Sequence, residues 1–222
     1  MEPELAGAIA ENLAAWHEIG LGALGVASGR TRGWWHARGP VPPIYLGAIA
    51  LTADADAAAL DAGLLPPGWA VVADPFGATD LRTHGWQPEP AQPWSVRAPA
   101  PAGMPMLPPG CTFARVADPG ALAAFEATAA AGFGVQLPAP GGWHAPRILH
   151  DPRSAAWTVR VGDAPIATAM SVRAGGVLGI YGVATRPAWG RRGIAAARVR
   201  GGVAADPPRP PGRPPSPLAV RL

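Results

Sequence analysis

Lysine does not occur in this chain: all 18 basic residues are arginine. The single cysteine, Cys111, excludes an internal disulfide framework and suits a reducing cytoplasm. The five histidines are scattered, with no His-x-x-x-His and no Cys-x-x-Cys, so no built-in metal site is expected. No Gly-x-Ser-x-Gly elbow is present to mark a serine hydrolase. No apolar run approaches the length that crosses a bilayer. The N-terminus carries Glu2 and Glu4 and no basic region, which argues against a signal peptide. The expectation is a cytoplasmic protein with no membrane partner.

Hydrophobic residues make up 49% and charged ones only 15%, which favours a globular chain over a disordered one. Glycine and proline stand at 29 each beside abundant alanine. Together with arginine replacing lysine, this reads as codon bias in GC-rich DNA. That bias discounts the pI of about 10.0 as a sign of nucleic-acid binding. The charge is also uneven. From Arg186 onward there are eight arginines and one acid, Asp206, which suits a ligand carrying several phosphates.

Along the chain, Leu5, Ile9, Leu13 and Trp16 recur at helical spacing and predict a helix over about 4–20. Two strands are expected at 30–38 and 44–51, then a helix capped by Thr52 and running to Leu64, then a strand at 69–74. These elements belong to an N-terminal α+β half, 1–98. Five prolines in 99–109 mark a stiff linker, bounded at 99–110. A second domain, 111–205, opens on a short strand at 113–116. Asp118-Pro119 then supplies an N-cap and first helical residue, with Leu122 and Phe125 facing inward. The 132–151 stretch is irregular and holds Trp143, His144 and His150. Three antiparallel strands follow at 155–161, 165–174 and 177–185, joined by two-residue turns at Gly162-Asp163 and Gly175-Gly176.

The stretch 177–200 carries the strongest chemical signal. An apolar strand, Val177 to Thr185, runs through Gly190-Arg191-Arg192-Gly193 into a helix former beginning at Ile194. Backbone N–H groups at a helix start lack internal partners and sit at the positive end of the macrodipole, a geometry that holds phosphate. Arg191 and Arg192 add forked donors, and Gly193 lets a phosphate approach the backbone. This run resembles the acyl-CoA-binding segment of the GNAT superfamily of N-acyltransferases. Val183-Ala184-Thr185-Arg186-Pro187 is similar to its Val-x-Thr/Val-x-Pro phrase. Gly190-Arg191-Arg192-Gly193-Ile194-Ala195 is similar to its Arg/Gln-x-x-Gly-x-Gly/Ala turn. One position departs: where the family carries Arg or Gln, this chain has Gly190. The first hundred residues resemble a worn GNAT half in topology, with 80–86 similar to the short helix and turn found late in such a domain and 94–97 to its last strand.

The resemblance implies a GNAT-like mixed sheet within an α/β (α+β) protein: an antiparallel meander, a phosphate-binding turn and a helix. It implies acetyl-CoA as co-substrate, with main-chain groups at Val183, Ala184 and Thr185 pairing with the pantetheine arm. The amides of Gly190, Arg191, Arg192, Gly193, Ile194 and Ala195 would hold the pyrophosphate. It further implies an N–H near Val183 as donor to the thioester oxygen, and an amine, small-molecule or peptide, as acceptor. No glutamate stands on the 177–185 strand, so Tyr181 and His144 are the candidate catalytic residues, with His150 of the same loop beside His144. The 206–222 tail breaks the pattern. Its seven prolines in 207–217 exclude helix interior and central strand. Leu218, Val220 and Leu222 leave room for a short fifth strand. Two origins are open for this end, an extended polyproline segment or a shift of reading frame in GC-rich DNA. The second would leave a non-catalytic CoA-binding remnant.

Overall fold

The computed structural model of the chain describes residues 2–65, 70–89, 94–97, 107–137, 139, 142–194 and 218–221. They belong to two compact units: Met1–Gln92 with Ala174–Gly176, and Pro93–Arg173 with Val177–Leu222. No helix among the described residues is long and apolar enough to cross a membrane.

In the first unit, α1 (Pro3–Ala23) begins on proline, with Glu4 at the positive end of its dipole. Ala6, Ile9, Ala10 and Leu13 form its buried stripe. Gly20 makes room there for the Tyr45 ring, into which a Cβ would run. The stretch expected as one strand at 30–38 is instead split. β1 (Ser28–Thr31) and β2 (Trp34–Ala37) pair antiparallel across Arg32-Gly33, whose φ angles of 50 and 82 make the tight primed hairpin turn. β3 (Ala48–Ala50) joins β2 antiparallel, and β4 (Val72–Ala73) joins β3 parallel.

The helix expected from Thr52 starts late. The Leu51 and Asp56 N–H groups donate back to Gly33 and Arg32 of the hairpin, and the Trp34 indole N–H donates to the Asp56 carbonyl at 2.8 Å. The 51–56 backbone therefore bonds to the hairpin rather than to a helix. Asp56 then accepts from the Ala58 N–H, and the helical segment Leu60–Leu64 is interrupted by left-handed Gly63. Trp34, Ala48, Ala50, Ala59 and Leu60 make the core of this unit.

The second unit is a six-stranded sheet in which β5 (Trp94–Arg97) is an edge strand paired antiparallel to β10 (Leu218–Arg221). Strand 94–97 thus belongs to this larger sheet and does not close the N-terminal one. From the other edge come β6 (Cys111–Arg115), β7 (Ser154–Val161), β8 (Ala164–Ala174) and β9 (Val177–Thr185), each antiparallel to the next along the meander. Pro165 sits where the β7–β8 register shifts, a place in a ladder that tolerates the missing N–H. Between β6 and β7 lies α2 (Pro119–Phe133), and then the short 3-10 helix Pro146–His150. The Asp118 carboxylate caps α2 by accepting from the Ala121 N–H at 2.8 Å, and left-handed Gly134 ends it. Leu122 and Phe125 are buried, as the spacing predicts.

Candidate functional site

The site forms where β9 gives way to the glycine-arginine turn. β9 pairs in parallel with β10, with Leu178, Gly179 and Ile180 opposite Leu218, Ala219 and Val220. Among the described residues the registered pairing ends at Ile180, while β9 itself runs on to Thr185. Just past that point Gly182 takes φ 58, a left-handed conformation inside a strand. Counting from the Gly175-Gly176 turn, Ile166 of β8 would face Thr185, yet its carbonyl accepts from the Arg186 N–H at 2.9 Å. β9 therefore holds one residue more than β8 over this span, which is what a bulge does. A bulged strand bends locally and its twist increases, so the bulge re-aims the backbone between Gly182 and Thr185.

The C-terminal turn of α2 lies directly against Ala184 and Thr185 at the end of β9. A Cβ on Gly132 would stand 2.8 Å from the Ala184 Cβ and 3.0 Å from the Thr185 nitrogen. Helix and strand backbones approach this closely only because residue 132 is glycine. Arg186 ties the same corner together: one guanidinium nitrogen reaches the Thr128 hydroxyl of α2 at 3.4 Å.

Past Arg186 a 3-10 turn, Pro187–Trp189, is closed by Trp189 N–H to Arg186 and Gly190 N–H to Pro187. Gly190 is extended (φ -60, ψ 158), a conformation open to any residue, whereas Arg191 holds φ 61 and Gly193 holds φ 74. The left-handed position that glycine suits is thus occupied by arginine, and the glycine stands one residue earlier. Among the described residues, no acceptor takes the backbone N–H of Arg191, Arg192 or Gly193. All three residues are exposed, and the Arg192 guanidinium stacks over the Trp189 ring at 4.7 Å. Ile194 is buried against Val159, Ile166 and Ala167, which pins the end of the turn to the sheet. Ala195 lies outside the described residues.

The two candidate catalytic side chains have different surroundings. Tyr181 precedes the bulge, is buried, and meets the Trp94 ring edge-on at 6.2 Å. His144 is buried beside Phe125 of α2, and desolvation pushes its pKa down to about 4. A histidine so held is neutral at pH 7 and a weak base. His150 ends the 3-10 helix in an exposed position. Asp151 closes a turn: the Arg153 side chain binds it and holds its carboxyl below the usual aspartate range.

Glu126 was not singled out from the sequence, and it organises this side of the unit. It is fully buried on α2, and its Oε1 accepts from the Trp143 N–H at 3.2 Å and the His144 N–H at 2.6 Å. The signal was available: Glu126 lies one turn from Leu122 and from Ala130 and so shares the apolar face of the helix. A carboxylate there needs donors, and the loop amides provide them.

No protein-family model and no curated protein sequence matches the chain. Among solved structures, it is similar to a GCN5-related N-acetyltransferase from Kribbella flavida, with a TM-score of 0.60 and 19% identity over 95% of this chain and 85% of that one. It is also similar to a protein from Novosphingobium aromaticivorans assigned to the GNAT family of acetyltransferases, with a TM-score of 0.47 and 19% identity over 97% of this chain and 85% of that one. The first likeness shows that the chain has the GCN5-related N-acetyltransferase fold.

Proposed function

We propose that this chain, folded as a GCN5-related N-acetyltransferase, moves an acetyl group from acetyl-CoA to an amine, small-molecule or peptide. The observation that carries the proposal is the bulge at Gly182. It supports the reading because it sets an irregular peptide at Gly182–Val183, with Val183 to Thr185 leading into a turn whose exposed amides and two arginines suit a diphosphate. Acetyl-CoA would supply the thioester, whose carbonyl carbon bonds to the amine nitrogen as the carbon–sulfur bond breaks, the amine losing a proton and the thiolate gaining one.

The chain's own residues then have separate tasks. The Val183 N–H would donate to the thioester oxygen as charge builds on it. Backbone groups of Val183, Ala184 and Thr185 would align the pantetheine arm, and the 191–195 amides with the Arg191 and Arg192 side chains would hold the pyrophosphate, the Gly190 N–H being taken by the Pro187 carbonyl. Tyr181, one residue before the bulge, is the side chain for the proton steps. His144 contributes through its place in the Glu126-anchored loop more than as a base at neutral pH.

The test is calorimetric titration with CoA, followed by thiol release from acetyl-CoA with a panel of amines. Saturable binding and amine-dependent release are expected. Absence of CoA binding overturns the proposal, and binding without turnover of any amine leaves the non-catalytic remnant in its place.

A further inference from the structure

Thr168 is fully buried at the middle of β8, and its hydroxyl donates to the carbonyl of Gly182 at 3.1 Å. This is the carbonyl of the left-handed residue that forms the bulge in β9. No peptide bond among the described residues is cis, so the Gly182 carbonyl and the Val183 N–H project in opposite directions from one rigid plane. Holding the carbonyl toward Thr168 fixes the N–H pointing away from it. In the strand order β10-β9-β8 that direction is the β10 side, where the registered pairing among the described residues reaches only Ile180. A glycine at this position otherwise has wide torsional freedom, and nothing in its own side chain would fix the plane.

Resting on the acetyltransfer reading above, we propose that Thr168 is a positioning residue: its hydroxyl sets the peptide plane that aims the Val183 N–H at the acyl oxygen. Thr168 touches no reacting atom. Its effect passes through one hydrogen bond and one peptide plane, and misplacing a donor of this kind costs rate steeply.

The experiment compares wild type with Thr168→Val, which keeps the shape and removes the hydroxyl, and Thr168→Ser, which restores it. Three quantities are read: steady-state kcat, calorimetric Kd for CoA, and the Val183 amide resonance in ¹⁵N-labelled protein with CoA and with acetyl-CoA. In Thr168→Val, kcat should fall about 10- to 100-fold while Kd for CoA stays within about twofold. The Val183 shift that distinguishes acetyl-CoA from CoA in wild type should vanish in Thr168→Val and return in Thr168→Ser. An unchanged kcat and Val183 shift in Thr168→Val overturns the proposal. So does a parallel loss of kcat, CoA affinity and melting temperature, which is the mark of a merely structural threonine. If wild type binds CoA but turns over no amine, the amide shift alone decides. If wild type binds no CoA, the acetyltransfer reading itself fails, and that is seen before any variant is made.

Discussion

Acid should unfold the second unit earlier than its carboxylates alone would require, and His144 should be the reason. Its imidazole is buried, and its pKa is pushed down from the usual 6.5 to about 4. A group with a lowered folded pKa favours the fold in its neutral form. Its contribution is therefore whole above about pH 6.5, declines as the unfolded chain takes up a proton, and is spent once the pH has fallen through about 4. The gap between those values corresponds to ~3 kcal/mol, lost at about 1.4 kcal/mol per pH unit. Against a total of about 5–15 kcal/mol for a domain, that is a large share. The assay is urea denaturation of wild type and His144→Leu at about pH 7 and about pH 4.5. Groups other than His144 titrate alike in both proteins, so the difference between their pH dependences isolates this one. Wild type should lose ~2–3 kcal/mol more than the variant over that range. Parallel losses in the two proteins would refute the reasoning.

Gly132→Ala should reverse the usual sign of a glycine-to-alanine change in a helix, which is a gain of up to about 1 kcal/mol. The new Cβ, 2.8 Å from Ala184 and 3.0 Å from the Thr185 nitrogen, overpacks the corner and should cost a net ~1–2 kcal/mol in urea melts, with weaker CoA binding by calorimetry. Exchanging Gly190 and Arg191 should stabilise the chain by about 1 kcal/mol. It returns glycine to the left-handed place, while the extended position 190 accepts a side chain after a small adjustment against the Pro187 carbonyl, 3.3 Å from its new Cβ. The exchange also puts arginine where the GNAT phrase has it, so CoA should bind more tightly at low salt.

Much of the second unit is legible along the chain because its signals are local. The Asp118-Pro119 cap, the Gly162-Asp163 and Gly175-Gly176 turns and the alternating runs between them each act within a few residues. Those elements stand where the spacing predicts. The first unit misled for the same reason. Arg32-Gly33 is a two-residue turn hidden in a run of strand formers, and the Thr52 cap lost to hydrogen bonds with a hairpin twenty residues away.

The sequence by itself determined the strand and turn order from Val177 to Gly193, since propensity, glycine placement and charge are properties of neighbours in the chain; the helix expected beyond Ile194 lies outside the described residues. Only the tertiary structure decided that Trp94 to Arg97 would pair with β10, that β9 would carry an extra residue against β8, and that Thr168 and Glu126 would find their backbone partners. Each of these is a pairing between residues distant in sequence, fixed by register and by the need of buried polar groups for partners. No window of neighbouring residues contains that information.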